Sequence, residues 1–496
     1  MFPGNAPSNI SAPLPPQGIA VSRYVLTHDD GDRRFYVSTL TGAVLSAPAA
    51  VSISQLSPPE LNCLNDNGII TSSSPDSEVS LVQRTLDFAK WDASSFMVTI
   101  APTLGCNFSC SYCFERLTDD FRQRTIASKD SRRQIVNFIL SNLKGRSSLS
   151  VRWFGGEPLL AQEAIAEISD PLVLVCNEAN IRFSASVQTN GFLLNQDAWS
   201  LFERSHIQDV HISLDGDQQH HDRVRFDESG NGSYETILRN LEAAPLSASI
   251  SLRVNVTQKN ASSIDRLLLD IARTDNRRRF YIYFHPVYAH FNGATGRSSA
   301  TVGFESVRDY AEMEVGYYQQ LSELGYAFPW QMFGPRNLPC SALKVDGVML
   351  DLHGNILKCD HEYGVPSARL GTAKSGIVDI EKLGAWTSVH PRNNPDCPSC
   401  ELLPSCLGNC ESIRRSVQSS SEACPSKKYN FKKLLAIGAA SAVSREPQYR
   451  VDRLFVHKAA SRSATNMAQF VETSTHQWSR KLEEAGKNYD PGIGST

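Results

Sequence analysis

Thr103-Leu104-Gly105-Cys106-Asn107-Phe108-Ser109-Cys110-Ser111-Tyr112-Cys113-Phe114-Glu115 carries three cysteines with three and then two residues between them. Three thiolates on such a loop can hold three corners of a cubane [4Fe–4S] cluster and leave the fourth iron without a protein ligand. An iron with a vacant position is able to take a chelating small molecule. With 12 cysteines in 496 residues, this spacing arises by chance in roughly one such chain in a hundred. The plainer readings are a zinc knuckle or packed, unligated thiols. Zinc closes a tetrahedron of four donors, and no fourth Cys or His stands inside the loop.

Outward from this loop, residues 95 to about 288 alternate strand-like and helix-like segments. Strand candidates are 96–101, 149–154, 181–188, 210–214, 251–257 and 280–286. Between the first two, Ile135, Phe138, Ile139 and Leu143 recur at helical spacing, and Gly145 follows as a stop. Six strands separated by helices predict a parallel sheet with right-handed crossovers. Six are too few to close an eight-stranded barrel, so the expected fold is α/β, an open, partial (β/α)6 barrel. The polar motifs fall at the strand ends. The cysteine loop follows strand one, and Phe154-Gly155-Gly156-Glu157-Pro158 follows strand two. Gln188-Thr189-Asn190-Gly191 ends strand three, and Ser213-Leu214-Asp215-Gly216 ends strand four. Arg253 and Asn255 lie on strand five, and His285 on strand six. Groups at the carboxyl ends of parallel strands converge on one mouth, where barrel active sites form.

A second set of cysteines follows, as Cys340-x13-Gly354-x4-Cys359 and then Cys397-x2-Cys400-x5-Cys406-x3-Cys410-x13-Cys424. Seven thiols suit two iron–sulfur clusters better than zinc sites of four cysteines each. Cys63 and Cys176 stand apart and read as packed, inert thiols.

Together these motifs resemble the radical S-adenosylmethionine (SAM) enzymes. The later cysteines resemble the SPASM extension found in maturases of peptides and proteins, including the anaerobic sulfatase-maturing enzymes. The resemblance spans about residues 95–430. It implies a radical SAM core over 95–300, with a [4Fe–4S] cluster on Cys106, Cys110 and Cys113 and SAM on its open iron. It implies a SPASM domain over 335–430 holding two auxiliary [4Fe–4S] clusters. One of these would use Cys397, Cys400, Cys406 and Cys424; the other would use Cys340, Cys359 and Cys410 and lack a fourth cysteine, because Val345, Asp346 and Gly347 fill the stretch where some relatives have one. In the family, the segment of Gly155, Gly156 and Glu157 meets the methionine amino group, and Tyr112 sits at the adenine. Asn190 and Ser213 stand where relatives contact the SAM ribose or carboxylate, and Arg253 is placed to pair with that carboxylate. Asp360 matches the acid thought to take a proton as the substrate radical is oxidised, with His361 and Glu362 beside it.

The expected activity is modification of a ribosomally made precursor peptide. A 5′-deoxyadenosyl radical would abstract hydrogen, and a thioether, ether or carbon–carbon crosslink would form. A formylglycine-forming sulfatase maturase is the alternative enzyme, and a non-catalytic Fe–S electron carrier or leader-binding protein the alternative from another class. The unit at 19–94, a hairpin at 24–27 and 35–38 followed by a helix at 57–64, resembles leader-binding domains and would take a precursor strand by β-augmentation. A flavodoxin or ferredoxin-type reductant is the second expected partner.

The remaining composition narrows the field. A net charge of −3 gives no reason to expect nucleic acid. No apolar run approaches the ~20 residues of a membrane span, so no membrane is expected. The amino-terminal residues lack a signal-peptide pattern. Closely spaced cysteines without an export signal read as cluster ligands, which predicts a cytoplasmic protein. Residues 1–18, rich in Pro, Ala and Ser, are expected to be disordered. Residues 431–496 are expected to form a solvated helical extension; from Pro425 onward there are 12 Lys/Arg against 6 Asp/Glu.

Overall fold

The computed structural model describes residues 18–113, 115, 119–287, 291–292, 297–298, 304, 306–416 and 420–460. The expected disordered start therefore lies, but for residue 18, outside the described residues, as does 461–496.

The chain opens with three antiparallel strands, β1 (Val25–Asp30), β2 (Arg33–Ser38) and β3 (Val44–Pro48). Gly31, at φ +60°, makes the first turn. Helix α1 (Pro58–Asp66) starts where Ser57 accepts from the Glu60 N–H and the Glu60 carboxylate accepts from the Ser57 N–H, a reciprocal cap. Helix α2 (Pro75–Trp91) then leads into the central sheet.

That sheet begins with β4 (Ser95–Ile100), and helix α3 (Lys129–Ser141) crosses to β5 (Ser148–Trp153). Next come α4 (Gln162–Glu178), β6 (Arg182–Thr189), α5 (Gln196–Arg204) and β7 (Ile207–Leu214). Helices α6 (Gln218–Val224) and α7 (Tyr234–Glu242) lead to β8 (Ser249–Val256), and α8 (Ile264–Thr274) leads to β9 (Tyr281–Pro286). Strands β4 to β9 are all parallel and lie side by side in chain order. An order without reversal keeps every crossover on one side, as in a barrel, unlike a doubly wound sheet with its switch point. The expected six strands are therefore present, each within three residues of its sequence-based bounds.

The sheet does not end at β4. After α9 (Val307–Glu323), β10 (Gly347–Leu350) pairs parallel with β4, and β11 (Asn355–Leu357) turns back antiparallel. The cysteine-rich region thus continues the barrel sheet from its first strand. Helix α10 (Lys427–Val443) and a hairpin, β12 (Tyr449–Val451) and β13 (Leu454–Lys458), complete the described chain.

The hairpin departs from the expectation of a helical extension over 431–496. Strand β13 pairs with β3, so the amino-terminal sheet has the order β12-β13-β3-β2-β1. Leu454 and Val456 are fully buried in that unit's own core with Leu45, Leu64 and Ile70. Their alternation with Phe455 and His457 is a strand pattern.

Each core strand shows one apolar and one polar face. On β5, Leu149, Val151 and Trp153 are buried against the helix layer, whereas Ser148, Ser150 and Arg152 are partly exposed. On β9, Ile282 and Phe284 alternate with Tyr281, Tyr283 and His285. A parallel sheet covered on both faces reads as continuous apolar strands; here the alternation leaves one face of each of these strands polar. Among the described residues, no helix is long and apolar enough to cross a membrane.

Candidate active site

The cysteine loop leaves β4 and is tied down before its first thiol. The Thr103 hydroxyl donates to Thr125 O at 2.7 Å and accepts from the Gly105 N–H at 2.9 Å. The Gly-Gly loop after β5 bonds directly to it, with Gly156 N–H donating to Thr103 O at 3.3 Å and Glu157 N–H to Gly105 O at 2.9 Å. Gly155 has φ +118°, and a Cβ there would collide with Thr103 O; one on Gly156 would collide with the carbonyl oxygens of Leu104 and Gly105. The two glycines are thus required first by contact between two backbones.

Glu157 is fully buried. Its carboxylate accepts from Leu159 N–H (3.0 Å), the Thr189 hydroxyl (2.8 Å) and Asn190 N–H (2.7 Å). Burial pushes its carboxyl up to about 6, against the pull of these donors. The side chain braces the ends of β5 and β6. Asn190 extends the brace: its amide donates to Asn107 Oδ1 at 2.7 Å and approaches Cys106 Sγ at 3.8 Å. Burial pushes the Cys106 thiol up, and Glu157, Cys110 and Cys113 add to the shift, so the three thiols lie within one another's field.

Tyr112 is anchored from across the mouth. Its hydroxyl donates to Asp215 and accepts from the Arg225 guanidinium at 2.6 Å. Arg225 also donates to Asp215 at 2.6 Å, and Asn255 donates to the other oxygen at 3.0 Å. Asp215 is held below the usual carboxylate range: burial raises it, but Arg225 and the other donors outweigh burial. Arg253 donates to Asn255 at 2.8 Å, and Ser213 is its register partner on β7. Residues 112, 213, 215, 225, 253 and 255 therefore form one polar wall. Arg225 was not singled out from sequence, because it lies in the aperiodic polar run after β7.

Asp360 approaches the same cavity from the cysteine-rich side. It pairs with Arg152 on β5 at 3.4 Å and accepts from the Cys359 thiol at 3.5 Å. Burial raises its pKa, but Arg152, His361 and Arg253 outweigh burial and keep it low. Buried Glu115, two residues past Cys113, is pushed up to about 8 by burial and then by the Asp360 charge. Tyr363 stacks on Phe154 with ring centroids 6.2 Å apart, and Arg152 lies over the Phe154 ring. Arg152 and Glu115 were also missed. The signal for Arg152 was present: a charge on the polar face of an alternating strand.

The later cysteines fall into two groups. Cys397, Cys400, Cys406 and Cys424 line a single cavity, and Cys397 and Cys406 each feel the other three thiols or two of them. Cys410 and Cys359 each feel Cys340 instead. Among the described residues, no three His, Cys, Asp or Glu groups are arranged to hold a single metal ion. Cys63 and Cys176 are buried thiols in the two cores.

Residues 100–247 match the family described as the Radical SAM superfamily. An uncharacterized protein of Synechocystis, sll1766, is 30% identical over 164 residues, which is 32% of this chain and 40% of that protein. The cysteine-type anaerobic sulfatase-maturating enzyme of Clostridium perfringens is 23% identical over 342 residues, 64% of this chain and 88% of that enzyme. The solved structure of native anSMEcpe with bound AdoMet superposes with a TM-score of 0.51 at 19% identity, covering 70% of this chain and 99% of that one, a likeness of fold. The match at 100–247 starts at the end of β4, takes in the cysteine loop, and carries with it SAM and a [4Fe–4S] cluster as the superfamily's cofactors. Residues 100–247 of this chain are therefore a radical SAM domain, and anaerobic sulfatase-maturating enzymes are among the chain's relatives.

Proposed function

We propose that Cys106, Cys110 and Cys113 hold the radical SAM cluster and that the chain modifies a peptide. The donor set suits the group: three thiols on one loop braced by Glu157 and Asn190, with Cys110 and Cys113 both felt by Cys106. When bound, the reduced cluster and SAM supply a 5′-deoxyadenosyl radical that abstracts hydrogen from a substrate carbon. The protein's part is placement. Ser213 and Arg253, register partners on the polar wall, would hold the SAM carboxylate and ribose, and Tyr112, fixed by Asp215 and Arg225, would border the adenine. Asp360, kept ionised by Arg152, receives the substrate proton on its carboxylate. Cys397, Cys400, Cys406 and Cys424 hold one auxiliary cluster, and Cys340, Cys359 and Cys410 the other.

The observation that carries this reading is the meeting of the cysteine loop, the Gly-Gly loop and the polar strand ends at one mouth. A peptide substrate is supported by the name of the Clostridium relative, a maturase of sulfatases. A ribosomal precursor is supported by the amino-terminal sheet, whose β3 edge is taken by β13 and whose β1 edge forms the other border. Crosslink formation is the product expected. A second reading, formylglycine formation, is favoured by Asp360 beside Cys359.

The test is anaerobic reconstitution followed by dithionite and SAM. Release of 5′-deoxyadenosine supports the radical reading, and its absence with substrate present refutes it. Mass spectrometry of a co-expressed precursor then separates a crosslink, which loses two hydrogens, from formylglycine in a sulfatase peptide.

A further inference from the structure

The two later thiol groups stand in unlike electrostatic surroundings. Around Cys340, Cys359 and Cys410, the cations Lys358 and Arg152 face the acids Asp360 and Glu362. Around Cys397, Cys400, Cys406 and Cys424, the cavity wall carries Arg414 and Lys428 with a single acid, Asp396. Lys427 adds a further cation within reach of Cys400 and Cys406; burial and then Arg336 pull its ammonium down to about 8, while Cys406, Cys400 and Glu314 favour its charged form.

Lys427 is held in place. Its Nζ donates to Met332 O at 2.7 Å, Ser405 O at 2.9 Å and Ser405 Oγ at 3.0 Å. Three acceptors match the three N–H bonds of an ammonium. Ser405 directly precedes Cys406, and Lys427 lies three residues beyond Cys424. Asn409 Nδ2 donates to Ala423 O at 2.7 Å, closing the same two segments on each other.

We propose that Lys427, supported by Arg414 and Lys428, raises the reduction potential of the four-cysteine cluster above that of the three-cysteine cluster. This rests on the auxiliary-cluster reading above. Reduction adds one electron to a thiolate-rich, already anionic centre, and an ammonium fixed by three hydrogen bonds nearby favours the more negative state. The four-cysteine site is then the electron-accepting end of the pair, and Lys427 is a tuning residue without substrate contact.

The test is a potentiometric titration of the full-length reconstituted protein with dithionite, followed by electron paramagnetic resonance. The four-cysteine signal is the one lost when Cys397, Cys400, Cys406 and Cys424 are together replaced by Ala. Lys427→Met is expected to keep the iron content and weaken reduction of that cluster at least about tenfold, about 59 mV for one electron. Lys427→Arg is expected to stay near the parent value. An unmoved midpoint in Lys427→Met, or a parent four-cysteine cluster reduced at lower potential than its neighbour, overturns the proposal. If Lys427→Met loses iron, Lys428→Gln replaces it: a smaller shift in the same direction supports the proposal, and no shift overturns it. A parent protein that takes no iron at Cys397, Cys400, Cys406 and Cys424 refutes the auxiliary-cluster reading itself, a separate result.

Discussion

Glu157 gives both carboxylate oxygens to the protein, and its neighbour Gly156 has no room for a side chain. These two residues illustrate how the mouth is built by loop-on-loop contact before any ligand is considered. Gly156→Ala would push the Gly105 carbonyl away and separate the cysteine loop from β5. Expected is loss of most iron at the first site and at least ~100-fold slower SAM cleavage, with the rest of the fold retained by circular dichroism. Asp360 belongs to a different class. Asp360→Asn keeps the shape and removes the proposed proton acceptor, so 5′-deoxyadenosine release should persist while product falls about 10²–10⁴-fold. Unchanged product formation would dismiss Asp360 as the base.

At the scale of elements, the carboxyl-terminal hairpin shows how far apart in sequence one small core can be drawn. Glu60 on α1 is fully buried and accepts from Arg453 Nε at 2.9 Å, from its guanidinium again at 2.7 Å, and from Arg453 N–H at 3.0 Å. The Arg453 bonds draw the Glu60 carboxyl down to about 2, against burial. Because the folded value lies below the ordinary 4.5, this pair stabilises above that pH and its contribution is lost as pH falls toward 2. The protection factors of the β3 and β13 amides, taken against the intrinsic exchange rate at each pH, should therefore fall between about pH 5 and 3. Glu60→Gln should show lower protection at neutral pH and lack that acid-dependent part. Leu454→Ala should destabilise the same sheet by about 2–5 kcal/mol, with little effect on the exchange of β4 to β9.

For the whole molecule, the decisive quantity is how many inorganic centres the chain holds. Replacing Cys106, Cys110 and Cys113 together by Ala should remove about four irons per chain, abolish SAM cleavage and leave the iron of the later cysteines in place. Loss of all iron would mean that the sites do not form independently. The continuous sheet from β9 through β4 to β10 and β11 brings the two regions together: β10 carries the cysteine-rich region to the edge of β4, and Asp360 meets Arg152 there.

Sequence and structure contribute differently to this account. The six core strands were legible because each is a short apolar run ending in a polar motif, and strand order followed from uninterrupted alternation. The thiols stood out because their spacing is local, and in the structure Cys397 feels Cys400, Cys406 and Cys424 while Cys410 feels Cys340. What lay beyond reach were partnerships between distant segments. Arg225 with Tyr112 and Asp215, Arg152 with Asp360, and Arg453 with Glu60 join residues 10 to 393 positions apart. No periodicity records such pairs; only chain closure brings them together. The hairpin at 449–458 reads as a strand locally, but its sheet was decided by an open β3 edge some 400 residues earlier. Local chemistry is written in spacing, whereas burial and charge pairing are properties of the folded volume.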